Sequence, residues 1–336
     1  MPNKRMIDTA IERIKGQHVL VTGGAGFIGS NLVGYLLQNS IKVTVLDNLI
    51  TGKLENLEEF KENPNFSFIN GDITDIETCA TALKGVDIIS HQAALGSVPR
   101  SIKFPHDTHR INATGFLNIL HAAMDLGIKR FVYASSSSVY GDSIKSPKHI
   151  GDEGELLSPY AITKKINEHY AKVYNKLHNM ETIGLRYFNV FGPKQDPNGV
   201  YAAAIPKFID KMMKGEVLTI DGDGEQTRDF TYVKNAVKAN VLALSSLNAN
   251  TFGKTYNVAC GNFFSINQVV AAIKDSLISN GRFNDKCTIV HGPSRTGDIR
   301  DSLANIENTS EDLGYEDLHY FEKGISEYLG VLCDNV

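Results

Sequence analysis

The segment that most constrains this 336-residue chain is Thr22-Gly23-Gly24-Ala25-Gly26-Phe27-Ile28-Gly29. An apolar, strand-like run (residues 18–22) precedes it, and residues 30–38 follow with helical periodicity. Residues 42–47 are strand-like again, so strand, glycine turn, helix and strand fall within about thirty residues, the span of one βαβ unit. The run satisfies G-x-G-x-x-G through Gly24, Gly26 and Gly29, and G-x-x-G-x-x-G through Gly23, Gly26 and Gly29. Glycines there permit a tight turn, close approach of backbone to a pyrophosphate, and close helix–strand packing. The helix N-terminus then offers free N–H groups and partial positive charge to the phosphates.

The alternation continues through strand-like runs at residues 66–69, 86–91, 129–134 and 181–187, with helical stretches between them. Short β-rich runs separated by helices imply a parallel sheet covered on both faces, an α/β fold of the Rossmann-type doubly wound kind. After Asn189 the rhythm breaks at Gly192-Pro193, Pro197-Asn198-Gly199 and Asp221-Gly222-Asp223-Gly224, which mark loops and a smaller mixed α/β substrate domain. The expected division is residues 1–188 plus about 234–264 for the nucleotide-binding domain, and about 189–233 plus 265–336 for the other. Ahead of the first strand, Ile7, Ile11 and Ile14 have the spacing of a short amphipathic helix.

Lys and Arg number 34 against 38 Asp and Glu, a net charge of −4. No basic excess is available for a nucleic-acid backbone, so no nucleic-acid partner is expected. No apolar run approaches the roughly 20 residues of a membrane span, and the charged N-terminus lacks a signal-peptide core. Cys79, Cys260, Cys287 and Cys333 are scattered, which reads as free thiols in a reducing, cytoplasmic setting with no metal site.

Asp47 closes the second strand, about 20 residues beyond the glycine turn, where a carboxylate can accept both hydroxyls of an adenosine ribose. It would repel a 2′-phosphate, so NAD is expected rather than NADP. Asp72, at the end of the third strand, is placed to reach the adenine.

Two further segments bear on chemistry: Ser135-Ser136-Ser137-Ser138-Val139-Tyr140-Gly141 after an apolar strand, and Tyr160-Ala161-Ile162-Thr163-Lys164 opening the helix after Ser158-Pro159. Tyr160 and Lys164 are i and i+4 and share one face of that helix. A phenol titrates near pH 10, so an adjacent ammonium and a positive nicotinamide are expected to bring its phenolate towards neutral pH. Ser136 is placed to hydrogen-bond the same substrate oxygen. Alone, a Tyr-to-Lys pair recurs on many solvated helix faces, and a serine run is often a turn. Downstream of a dinucleotide unit, the two together read as a catalytic set.

In this order and spacing, T-G-x-x-G-x-x-G, S-S-S-x-V-Y-G and Y-x-x-x-K resemble the extended short-chain dehydrogenase/reductases, and more closely the UDP-hexose 4-epimerases. The likeness runs from residue 18 to about 330. It includes Leu46-Asp47-Asn48-Leu49, His91-Gln92-Ala93-Ala94, Leu185-Arg186-Tyr187-Phe188-Asn189-Val190, Arg228-Asp229-Phe230 and Ser294-Arg295-Thr296-Gly297-Asp298. The resemblance implies that Gly23, Gly26, Phe27, Ile28, Asp47, Asn48, Asp72, Ile73, Gln92, Tyr160 and Lys164 contact a tightly held NAD that is regenerated each turnover. It assigns Asn189 to the diphosphate region, Arg228 and Arg295 to the phosphates, and Asp298 to the uridine ribose. Planar guanidinium donors suit phosphate oxygens.

Dehydratases of this likeness carry acids in the serine segment, whereas this chain has only serines there, so elimination of water is disfavoured and transient oxidation with hydride return remains. Aligned from Gly297-Asp298, Ser302 falls where glucose/galactose-restricted relatives carry a bulky Tyr, leaving room for a 2-N-acetyl group. With Ser97, Ser137 and Gln195 as further pocket residues, the chain resembles the N-acetylhexosamine-preferring branch, acting on UDP-GlcNAc and UDP-GalNAc. The same serine segment is also like that of UDP-glucuronate 4-epimerases, and Arg100 or Arg300 could pair with a sugar carboxylate, so a UDP-(N-acetyl)glucuronate substrate stays open. A non-catalytic NAD-sensing regulator on the same fold is the alternative from another class. The resemblance further implies a homodimer through helices at about 106–126 and 158–178, to which Ile111, Gly115, Leu117, Ile119 and Leu120 could supply apolar surface.

Overall fold

The computed structural model describes residues 6–199, 202–294 and 300–334. Its central sheet contains β1 (His18–Thr22), β2 (Lys42–Asp47), β3 (Phe66–Asn70), β4 (Ile88–His91), β5 (Arg130–Ser136) and β6 (Glu181–Tyr187). Short strands β7 (Val190–Phe191), β8 (Leu218–Asp221), β9 (Thr227–Arg228) and β10 (Thr231–Tyr232) follow, then β11 (Lys254–Val258), β12 (Phe264–Ser265), β13 (Ile289–Gly292) and β14 (Asp301–Ser302). The helices are α1 (Met6–Ile14), α2 (Phe27–Gln38), α3 (Ile76–Ala82), α4 (Val98–Lys103), α5 (Pro105–His109) and α6 (Phe116–Asp125). They continue with α7 (Pro159–His178), α8 (Ala204–Lys214), α9 (Val233–Leu244), α10 (Ile266–Ser279), α11 (Glu307–Leu313) and α12 (Phe321–Asp334).

The large sheet has seven strands in the order β11-β6-β5-β4-β1-β2-β3, every pairing parallel. This is the doubly wound α/β arrangement. Side chains alternate across a strand, so Val19 and Val21 join the core under α2 and α9, while Leu20 joins the core under α3 and α6. Helix α1 buries Ala10, Ile11 and Ile14 and packs on α9. The remaining elements gather round a separate core that includes Phe191, Met212, Leu218, Ile273 and Phe321, with the Phe264 and Phe321 rings 4.6 Å apart. Its strands are mostly two residues long, and β12-β9-β14 forms the sheet nearest the site.

Element boundaries differ from the sequence reading at several places, and two of the differences shape the site. Helix α2 begins at Phe27 rather than Ser30, so Gly29 lies inside its first turn. Strand β5 continues to Ser136, because Ser135 and Ser136 stay in register with Arg186 and Tyr187 of β6, so half of the serine run is strand rather than turn. β4 starts at Ile88, and Asp87 just before it meets the start of β1, its N donating to His18 O at 2.9 Å and its carboxylate accepting from His18 N at 2.7 Å. Ile111, Ile119 and Leu120 are buried within the chain's own core, so these positions offer no surface to a partner. Among the described residues no helix is long and apolar enough to cross a membrane.

Candidate functional site

The glycine turn is dictated by contact. Gly23 has φ +68°, and a Cβ on it would lie 2.6 Å from Ala93 N; one on Gly29 would lie 2.2 Å from Gly23 O. Neither position admits a side chain, and the resulting cradle opens onto a cavity of about 690 Å³ at the carboxyl ends of the parallel strands. That is where ligands bind in open parallel sheets. Gly23, Gly26, Phe27, Ile28, Asp47, Asn48, Ile73, Gln92, Tyr160, Lys164 and Gln195 all line it. Asp47 accepts from Ala25 N and Leu49 N, each at 2.9 Å. Burial raises its pKa while those two N–H groups oppose the rise. Asp72, between the lining residues Gly71 and Ile73, accepts from Asn48 Nδ2 at 3.1 Å and so holds a cavity residue in place.

Ser158 caps α7 by accepting from Ala161 N at 3.1 Å, and Pro159 opens the helix, which places Tyr160 in its first turn. Lys164, one turn on, donates from Nζ to Ala134 O at 2.9 Å and lies 5.9 Å from the Tyr160 ring centroid. Ser138 N donates to Ser136 Oγ at 3.1 Å, which leaves the Ser136 proton free to turn towards the neighbouring Tyr160 oxygen. Burial disfavours the charged form of both groups: it lowers Lys164 to about 8 and raises Tyr160, with Ser136 opposing the latter. The protein alone therefore holds the phenol protonated at neutral pH. His91, buried nearby, is lowered to about 3 by burial and then by the Lys164 charge, so it stays neutral.

Behind these groups lies a charged cluster. Ser135 Oγ donates to Glu168 Oε1 at 2.7 Å; Arg186 donates to the same carboxylate from Nε at 2.7 Å and Nη2 at 2.8 Å. Arg186 also pairs with Glu153 at 2.5 Å. Glu168 continues the Tyr160 and Lys164 face of α7, so β5, β6 and the catalytic helix are locked together beneath the site.

A second cavity of about 670 Å³ is lined by Asn189, Gln226, Arg228 and Phe230, and shares Ala202 and Ala203 with the first. Asp229, fully buried, accepts from Cys260 N at 2.9 Å, Gly261 N at 3.0 Å and Ala304 N at 3.4 Å. One carboxylate thus ties the Arg228 segment to two other loops. Ser302 sits opposite Arg228 in register but lines neither cavity. Ser97 caps α4 and Ser137 begins a 3₁₀ turn; both are absent from the walls, although Gly96 and Arg100 line the first cavity. Arg295 and Asp298 lie outside the described residues. Arg300 is exposed and pairs with Asp223 at 3.0 Å. A larger cavity, about 930 Å³, lies on the far side of α2 and contains none of the expected residues.

The sequence reading missed Tyr187 and the Thr51–Lys53 loop, which also line the first cavity. Tyr187 ends β6, beside Ser136, and the rule that ligands sit at strand carboxyl ends was the signal that could have found it.

A glycine cradle at a helix N-terminus, an acid closing the second strand and a Tyr-Lys-Ser set on one wall define a dinucleotide-dependent enzyme of the Rossmann class. Residues 19–259 match the NAD dependent epimerase/dehydratase family, and the chain belongs to it. Its cofactor is NAD, which the cradle and Asp47 fit. A UDP-N-acetylglucosamine 4-epimerase from Methanobrevibacter ruminantium, solved with UDP-N-acetylmuramic acid, is 38% identical, with TM-score 0.87, over 95% of this chain and 99% of that one. A UDP-glucuronic acid 4-epimerase from Bacillus cereus, solved with UDP-glucuronic acid and NAD, is 30% identical, with TM-score 0.83, over 95% and 100%. A UDP-glucose 4-epimerase of Mycolicibacterium smegmatis is 33% identical over 92% of this chain and 96% of its own length.

Proposed function

We propose that this chain is an NAD-dependent 4-epimerase of UDP-N-acetylhexosamines, interconverting UDP-GlcNAc and UDP-GalNAc. The observation that carries this reading is Tyr160, beside Ser136 and one turn from buried Lys164, on the wall of the cofactor cavity, with no acid in the serine segment. The glycine turn, Asp47, Asn48, Ile73 and Gln92 hold the cofactor, with Asp72 fixing Asn48. When bound, NAD supplies a reversible hydride acceptor and a positive ring beside the phenol, so no second redox partner is needed. Tyr160 takes the proton of the sugar 4″-hydroxyl as the C4″–H bond breaks, and returns it after the flat 4-ketose has turned over. Ser136 hydrogen-bonds the same oxygen, and Lys164 keeps positive charge next to the phenol. Arg228, Asn189 and, from the family likeness, Arg295 and Asp298 bind the UDP moiety.

The N-acetyl preference is supported by Gln195. Its Nε2 donates to Val190 O at 3.1 Å, whereas its Oε1 is buried with no partner among the described residues, an acceptor suited to an amide N–H. Ser302, beside Arg228, is small enough to leave room at that end. The M. ruminantium relative is named for the same sugar. A uronate substrate is the second reading, favoured by Arg100 in the cavity wall. A pure NAD sensor would not need the complete Tyr-Lys-Ser set.

The chain is proposed to act as a homodimer through α6 and α7. Ile162, Tyr170, Val173 and Leu177 expose an apolar stripe along α7, the face opposite Tyr160 and Lys164.

The test is proton NMR of purified protein with UDP-GalNAc, UDP-Gal and UDP-GalNAcA in separate tubes. Faster formation of UDP-GlcNAc than of UDP-Glc is expected. A faster uronate reaction moves the assignment to acid sugars, and no change in any tube with NAD supplied removes the 4-epimerase reading for these sugars.

A further inference from the structure

β4 and β6 flank β5, the strand that delivers Ser135 and Ser136, and the ends of both flanking strands are tied to one residue of α9. Asn240 has no accessible surface and lines neither cavity. Its Oδ1 accepts from Gln92 Nε2 at 2.9 Å and Ser90 Oγ at 3.1 Å. Its Nδ2 donates to Tyr187 Oη at 2.7 Å and to Ala236 O at 2.8 Å. The ring closes because Gln92 Nε2 also donates to Ser90 Oγ at 3.0 Å, and Tyr187 Oη donates to Gln92 Oε1 at 3.0 Å.

Donor accounting gives this ring a direction. A glutamine amide has two N–H donors and two acceptor lone pairs, and a phenol has one proton. Both Gln92 donors and the Tyr187 proton are consumed inside the ring. One lone pair on Gln92 Oε1 remains, on a residue that lines the cofactor cavity. We infer that Asn240 is a positioning residue that holds Gln92 with only an acceptor available to the cavity, selecting a hydrogen-bond donor of the cofactor there, a ribose hydroxyl or the carboxamide NH2. The inference rests on the reading of Gln92 as a cofactor contact. Asn240 touches nothing that reacts; it acts through Gln92 and Tyr187.

The experiment compares Asn240→Leu, Gln92→Leu and the double variant for NAD retained after purification, NAD dissociation constant and the split of kcat against KM for the nucleotide sugar. Asn240→Leu is expected to weaken NAD about tenfold, roughly 1.4 kcal/mol, at unchanged sugar KM. The double variant is expected to be no worse than Gln92→Leu, because both act through one contact. Where Asn240→Leu lacks a cooperative melting transition, Tyr187→Phe and Ser90→Ala open the same ring with one atom removed and are expected to weaken NAD in the same direction. Wild-type NAD affinity in Asn240→Leu alongside a weakened Gln92→Leu, or additive losses in the double variant, would overturn the inference and leave the cofactor contact standing. Unchanged affinity in Gln92→Leu overturns the contact itself.

Discussion

The two adjoining cavities are built on different principles. The cofactor side hangs on strands whose ladders run four to seven residues, and its polar groups are placed by register: Asp47 ends β2, and Ser136 lies opposite Tyr187. The other side has one four-residue ladder, β8 with β13, and otherwise strands of two residues, β7, β9, β10, β12 and β14, which orient little by themselves. There a single carboxylate, Asp229, ties the Arg228 strand to the loops beside it. The cofactor side is therefore expected to lose chemistry without losing shape when a side chain is removed, and the Arg228 side to lose shape.

The largest effect expected from that contrast is on the cofactor side. Tyr160→Phe should lower kcat by about 10²–10⁴-fold, the range for a lost general acid–base group, while NAD released on denaturation stays stoichiometric and the melting temperature holds. A variant that falls apart would break the comparison.

Next is Asp229→Asn, which leaves buried N–H groups with a poorer acceptor at a cost of about 1–3 kcal/mol. Denaturant unfolding should show the loss, and sugar KM should rise while NAD occupancy is unchanged. Burial raises the Asp229 carboxyl to about 7 from an ordinary 3.8, against the opposing backbone N–H groups. Between those values the folded protein holds a proton that the unfolded chain has released, so stability falls as pH rises through the window. Unfolding at pH 5 and pH 8 should show a steeper decline in the wild type than in Asp229→Asn; equal slopes would sink the assignment.

Arg228→Ala should raise KM for the nucleotide sugar about tenfold, roughly the worth of one charge-assisted contact, with kcat reduced less. Measured NAD affinity should not move, which separates the two cavities cleanly. The smallest effect is a selectivity change: Ser302→Tyr is expected to shift the ratio of UDP-GalNAc to UDP-Gal turnover about tenfold towards UDP-Gal, within the reach of a steric pocket change. Ser302 pairs in register with Arg228, so an unchanged ratio would place the sugar discrimination at Gln195 instead.

The cofactor half was legible because local signals and tertiary outcome coincide there. The glycines are required by backbone contacts within the turn and with Ala93, and Tyr160 and Lys164 are one helical turn apart, so spacing alone places them together. What spacing could not give is the effect of burial, which pushes the Tyr160 phenol up and the Lys164 ammonium down to about 8. Nor could it give Asn240, which lies 148 residues from its partner Gln92. Ser97 and Ser302 show what position alone leaves out: one caps α4, and the other pairs in register with Arg228 within a short sheet.

Helix α7 has a consequence for how this chain can change length. Tyr160, Lys164 and Glu168 each engage β5 or its end from one side of the helix, through Ser136, Ala134 and Ser135. One residue inserted between 160 and 164 would rotate everything downstream by about 100° and move it 1.5 Å along the axis, pulling Lys164 off Ala134 and turning Glu168 away from Arg186. Insertions and deletions inside that helix therefore carry a cost that a substitution on its outer face does not. A peptide graft or a reporter belongs in a connection such as the exposed turn at Leu247, where an added residue displaces none of these contacts.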